Sequence, residues 1–274
     1  MDDQTRPITV VDAFTTEPFR GNPAAVCFLD AEPPEDWMRA VAREMNLSET
    51  AYLVPVGPAA DRRWSLRWFT PEVEIDLCGH ATLASAHVLA ALGALADGAT
   101  ARFDTRSGEL TARSEDGRIV LNFPATPAEP ADPPDGLLDA LGLKPEQVQG
   151  SGRDDAYVVV QVDAPTTVVG LDPDFGAFLD ADLRAAIVTA RGGPNGADIT
   201  SRVFGPAVGI DEDPVTGSAH CLLAPWWAPQ LGTTVIQAHQ ASARGGDLEV
   251  RLLGDRVELL GHAVTVWQGE ILAP

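Results

Sequence analysis

Glu49, His80, Asp213 and Ser218 are the side chains whose types and settings suit proton chemistry. Glu49 follows Ser48 and leads into the apolar run Thr50–Val54. A carboxylate against an apolar strand is expected to have its pKa raised by desolvation, which is the state a group needs to take and return a proton near neutral pH. Taken alone, Ser48-Glu49 also reads as a solvated loop after a helix. Asp213 closes the run Asp211-Glu212-Asp213 ahead of Gly217-Ser218-Ala219, where an Asp is commonly an N-cap or turn residue. His80 reads either as a site residue or as a hydrogen-bonded core histidine, and Ser218 either as a ligand or as a cap. Cys78 reads as a small buried thiol.

Other chemistries have no signal. Cys27, Cys78 and Cys221 are widely spaced, include no C-x-x-C pair and cannot build a disulfide framework, so reduced thiols are expected. His80 and His87 have no Asp, Glu or Cys at ligand spacing on one helix, and no H-E-x-x-H occurs, so no metal is expected. Gly150-Ser151-Gly152 has no third glycine at dinucleotide spacing, and no Gly-Lys-Ser follows, so no nucleotide cofactor is expected.

The elements that must position these residues come next. Met38, Val41, Ala42 and Met45 recur at helical spacing over 35–46, with Asn46 as the stop. Gly79–Leu92 and Gly217–Ala228 are nearly free of charge, so helices there are apolar all round and must be buried. A buried helix start presents unpaired N–H groups and about half a positive charge, which invites an anion. Around them lie short runs that read as strands, among them the alternating Arg63–Phe69, Glu109–Arg113 and Ile119–Phe123, and also Ala156–Val162 and Leu248–Leu252. The proline-rich stretch 124–136 reads as a linker between two halves, 1–123 and 137–274, each with one charge-free helix opened by glycine. Fourteen residues are too few to establish a duplication from the sequence.

The chain has 274 residues, enough for two modest domains or one large α/β body. Its 19 basic and 40 acidic residues give a net charge of −21, which repels a phosphate backbone and anionic lipid, so neither nucleic acid nor membrane is an expected partner. No apolar run approaches the roughly 20 residues that span a bilayer, and Met1–Ile8 has no apolar signal segment, so a cytoplasmic location is expected.

Four strings raise the site reading above its residue-level ambiguity: VDAFTTEPFRGNPAAVCFLD, MNLSETAYL, LRWFTPEVEIDLCGHATLASAHVL and SRVFGPAVGIDEDPVTGSAHCLLAPWW. In order and approximate spacing they closely resemble the phenazine biosynthesis PhzF family, within the diaminopimelate epimerase-like superfamily. The resemblance covers nearly the whole chain. It implies an α+β fold of two pseudo-symmetric domains, each a curved, mostly antiparallel sheet around a central buried helix, with the active site between them. It also implies a homodimer, and a C-terminal segment of about ten residues that returns to the first domain.

Carried over by motif, Glu49 of S-E-T-A is the acid/base, with His80 of C-G-H and Asp213 of E-D-P as catalytic partners. Gly217 and Ser218 bind a substrate carboxylate, and Ser48 and Gly79 complete the binding set. The implied reaction is a cofactor-independent double-bond isomerisation of a small carboxylate, of the dihydro-3-hydroxyanthranilate type, by proton transfer on one face. Two alternatives stand beside it: a homologue that binds a small carboxylate without converting it, and a two-thiol racemase of the same superfamily. The second lacks a cysteine ahead of Gly217, where Thr216 stands instead.

Overall fold

Apolar runs of four to seven residues, bounded by Gly, Pro and Asp, form most of the strands, and the two charge-free segments form the helices they surround. A computed structural model of the chain describes residues 5–180 and 185–273. The chain divides into two units, Met1–Phe123 with Leu260–Pro274, and Pro124–Leu259.

The first unit runs β1 (Thr5–Ala13), β2 (Asn22–Phe28), α1 (Glu35–Met45), β3 (Glu49–Pro55), β4 (Arg63–Phe69), β5 (Glu74–Ile75), α2 (Gly79–Ala91), β6 (Thr100–Thr105), β7 (Gly108–Glu115) and β8 (Arg118–Pro124). β1–β2 is antiparallel, β2–β3 parallel, β3–β4 antiparallel, β4–β6 parallel and β6–β7 antiparallel, with the short β5 antiparallel on β4. The parallel steps are those that a helix, α1 or α2, can cross. The chain's last strand, Ala263–Leu272, lies antiparallel along the other side of β1.

α1 starts on Glu35 and Asp36, which favour the positive helix end, and stops where Asn46 turns left-handed at φ 49°. Its Met38, Val41 and Ala42 bury against Ala25, Cys27, Tyr52 and Phe69. α2 has no such face: His80 to Ala86, Val88 and Leu89 are all buried. The helix lies against β1, β2, β3 and β7. Its hydroxyls need no outside partner, because Thr82 donates to the Cys78 carbonyl at 2.5 Å and Ser85 to that of Ala81 at 2.7 Å.

The second unit runs β9 (Glu129–Pro130), α3 (Leu137–Ala140), β10 (Val148–Arg153), β11 (Tyr157–Val162), α4 (Pro165–Val169), α5 (Phe175–Asp180), β12 (Ala185–Arg191), β13 (Ile199–Gly205), β14 (Ile210–Asp213), α6 (Gly217–Leu231), β15 (Val235–Gln240), β16 (Gly246–Leu253) and β17 (Arg256–Gly261); the last strand, Ala263–Leu272, is β18. From β10 the pairing signs repeat those of the first unit. They are antiparallel to β11, parallel to β12, antiparallel to β13, parallel from β13 to β15, and antiparallel to β16, with short β14 antiparallel on β13. Five signs in one order, with a central helix at the same step, make an internal duplication the simplest account, which the sequence alone was too short to carry. The fold is α+β.

Strands β11 and β12 are covered on both faces, which is why they read as continuous apolar runs rather than alternating ones. Val158, Val160, Val162, Ala186, Val188 and Ala190 bury with α3, α4 and α5 residues. Thr189 points the other way and accepts a hydrogen bond from Trp227 Nε1 of α6 at 3.1 Å. α6 runs to Leu231, beyond Ala228 where the sequence pattern ended, and contains Pro225 and Pro229. Pro225 has no N–H for the Cys221 carbonyl one turn back. That carbonyl instead accepts the Thr126 N–H at 3.2 Å. The proline-rich stretch is therefore anchored: Ala125 also donates to the Asp255 carbonyl, and Glu129–Pro130 pairs with β10.

Candidate active site

The first unit gathers Glu49, His80, Cys78, Ser48 and Asn22. Glu49 is the first residue of β3, held by parallel register opposite Ala24 of β2. Cys78 is extended at φ −146° and ψ 110°, which ends the loop after β5 and lets α2 begin at Gly79. His80, one residue into the helix, then lies over the start of β3. Its Nε2 is 3.0 Å from Glu49 Oε2, and all three of Glu49, Cys78 and His80 are 6% exposed. The Asn22 carboxamide lies against the other ring nitrogen, its Nδ2 3.2 Å from His80 Nδ1. Ser48 Oγ is 3.3 Å from Nε2, and Cys78 Sγ is 3.6 Å from Nδ1.

These neighbours reverse the sequence-based expectation for Glu49. Burial does push its pKa up, but the adjoining His80 charge, with the polar Ser48 and Cys78 side chains beside it, outweighs burial, so the carboxyl lies below its usual value. His80 answers in the opposite sense. Burial alone would lower it, while Cys78 and Glu49 together raise it well above an ordinary histidine. The resting pair is thus a carboxylate beside an imidazolium, a ready base and a ready acid. Cys78 is pushed up to about 11 by burial and by the Glu49 charge, so it rests as a thiol.

Strand pairing, which no spacing on one helix reveals, brings Glu49 and Cys78 to His80, with the three ligand atoms within 4.8 Å of one another.

The second unit holds Asp213, Gly217 and Ser218 together with residues that motif reading had not singled out. Asp213, the last residue of β14, is not the N-cap; Thr216 occupies that position and donates its hydroxyl to Asp213 Oδ2 at 2.5 Å. Gln240, fully buried at the end of β15, accepts the Thr216 N–H at 2.8 Å and donates to the Asp213 carbonyl at 2.7 Å. Ser218 is exposed and does not cap: its Oγ is 2.7 Å from the Tyr157 hydroxyl, whose pKa burial pushes up to about 12. Gly217 is buried at the helix start. Among the described residues neither α2 nor α6 has a side chain hydrogen-bonded to its first turn as a cap. Cys221 lies a turn inside α6, buried, and is no counterpart to Cys78.

Of the residues missed, Asn22 had the most legible signal, in the Gly21-Asn22-Pro23 string. Gly21 is left-handed at φ 62°, and a Cβ there would meet the Ala13 carbonyl at 2.1 Å. Only glycine fits, and it sets the start of β2 and hence Asn22. Tyr157 and Gln240 had no local signal.

A family model for phenazine biosynthesis-like proteins matches residues 11–269. An uncharacterized isomerase of Halalkalibacterium halodurans is 47% identical over 98% of this chain and 99% of its own length. The human phenazine biosynthesis-like domain-containing protein is 41% identical over 97% and 99%, so such chains are not confined to bacteria. A crystal structure of a PhzF family protein from Enterococcus faecalis superposes with a TM-score of 0.91 at 40% identity, covering 97% of this chain and 99% of that one. A family model matched over nearly the whole chain, and relatives this similar over almost their full length, show that the chain belongs to the PhzC-PhzF family of phenazine biosynthesis-like proteins.

Proposed function

We propose that the protein is a PhzF-like isomerase in which Glu49 removes a proton from a carbon next to a carboxylate or unsaturated group and returns it elsewhere on the same face. The observation that supports this most directly is the buried Glu49–His80 contact, 3.0 Å long, with the carboxyl held low and the imidazole held high. Glu49 can accept a proton at neutral pH, and His80 stabilises each charge state by sharing its own hydrogen. Asp213, Ser48, Gly79, Gly217 and Ser218 keep the roles the family resemblance gives them, catalytic for Asp213 and substrate-binding for the others. Names of relatives such as the Halalkalibacterium halodurans isomerase agree with an isomerisation. A two-thiol racemase is disfavoured, because Thr216 stands ahead of α6 where a second thiol would be needed.

The first substrates to try are small cyclic carboxylates of the dihydro-3-hydroxyanthranilate type. Glu49→Gln keeps shape and removes the proton carrier, so kcat is expected to fall by about 10²–10⁴-fold. In heavy water the native protein should wash deuterium into such a substrate and the variant should not. Turnover surviving the change within tenfold, or binding without exchange, would leave a carboxylate-binding protein in place of an enzyme. We further propose that it works as a homodimer, which light scattering of the purified chain would read as twice the monomer mass.

A further inference from the structure

We propose that Glu49, Cys78 and His80 also form a binding site for a thiophilic divalent cation of the zinc class, whose occupation switches the proton-transferring pair off. The donor set is the first argument. A thiol sulfur, an imidazole nitrogen and a carboxylate oxygen are the ligand types such an ion selects, and a thiolate with a carboxylate would balance its two charges in a buried place.

Distances are the second argument. Zinc–sulfur and zinc–nitrogen bonds of about 2.3 and 2.0 Å at tetrahedral angles separate S from N by about 3.6 Å and N from O by about 3.3 Å. Here Cys78 Sγ is 4.0 Å from His80 Nε2, and Nε2 is 3.0 Å from Glu49 Oε2. These two edges are within about 0.4 Å of the required length, and the third, from Cys78 Sγ to the Glu49 carboxylate, is no longer than 4.8 Å and closes as the side chains turn toward a shared ion. Glu49 Oε2, though this close, has no well-aligned hydrogen bond among the described residues, so its lone pairs are not committed to one. The other ring nitrogen has a partner in Asn22, which would hold a ligating ring in place after a half-turn of its carboxamide. Ser48 and Gly79, beside Glu49 and His80 in sequence, are only half-buried.

Binding would convert the Cys78 thiol to thiolate with release of its proton, and would occupy the Glu49 lone pair that receives substrate hydrogen. The inhibitory half of this proposal rests on the isomerase reading; the binding half does not.

The test is a titration of the whole, chelator-treated protein with Co²⁺, a coloured stand-in for Zn²⁺. The expected result is a sulfur-to-cobalt charge-transfer band saturating at one equivalent and abolished by added Zn²⁺. Cys78→Ser should remove the band, while Cys27 and Cys221 remain as internal controls. If that variant fails to fold, His80→Asn should instead weaken Co²⁺ binding by at least about tenfold. No band in the native protein, or a band that survives either change undiminished, overturns the proposal. Given the band, Zn²⁺ should inhibit turnover at the concentration that displaces cobalt. A full rate at saturating Zn²⁺ would overturn the inhibitory half alone.

Discussion

Burial acts on His80 and His220 alike by disfavouring the charged ring, and their partners send them in opposite directions. His80 has a carboxylate at 3.0 Å and is raised. His220, one turn into α6, donates from Nδ1 to the Thr216 carbonyl at 2.8 Å, and its Nε2 is buried with no hydrogen-bond partner among the described residues. With no anion to answer burial, it is pushed from 6.5 down to about 4. In the unfolded chain the same ring titrates near 6.5, so between those values the unfolded state binds the extra proton and stability falls as pH falls. Urea unfolding between pH 7 and pH 4 should show His220 contributing a loss of about 3 kcal/mol, by the 1.36 kcal/mol per unit that links pKa to free energy. His220→Gln, which keeps a donor for Thr216, should flatten the curve by that amount. An unchanged slope would show that His220 does not carry the acid sensitivity.

Elements translate these residue settings into place, and two backbone details test how. Gly21→Ala meets both a left-handed φ of 62° and a carbonyl at 2.1 Å, so it is expected to cost at least about 2 kcal/mol in thermal or urea unfolding. Thr126→Pro removes the N–H that satisfies the Cys221 carbonyl, leaving a buried acceptor bare at a cost of about 1–3 kcal/mol. Adding Pro225→Ala restores a donor one turn along α6 and should recover part of that loss; additive losses would show that the two do not share the carbonyl. The charge-free runs at Gly79 and Gly217 announced their helices, because only a wholly buried helix tolerates such composition. Asn46 and the short alternating strands were equally plain, being local. The contact of Glu49 with His80 was not, since it depends on β2–β3 register and on where Cys78 starts α2; the motif resemblance pointed to both residues without showing the contact. For the same reason a rise in the Glu49 pKa was expected where the neighbours produce a fall. Gln240 and Tyr157 meet Asp213, Thr216 and Ser218 only across strands far apart in sequence, so no periodicity marked them.

At the scale of the whole molecule, 19 basic against 40 acidic residues leave a surface that repels polyanions, and among the described residues no helix is long and apolar enough to cross a membrane. The duplicated strand order places a different polar cluster in each unit: a carboxylate–imidazole pair in the first, and a hydroxyl network around Asp213 and Ser218 in the second. The first unit, however, is not one stretch of chain. Its β1 is flanked on one side by β2 and on the other by β18. A fragment of residues 1–123 therefore bares a long unpaired strand edge and should be recovered mostly as aggregate, whereas joining residues 260–274 to it through a short linker should return soluble, cooperatively melting protein. Vectorial synthesis on the ribosome meets the same constraint. The neighbour that closes β1 follows the whole second unit in the chain, so the opening half must wait, edge uncovered, until that unit has been made, and chaperone dependence over that interval is the expected cost of the order.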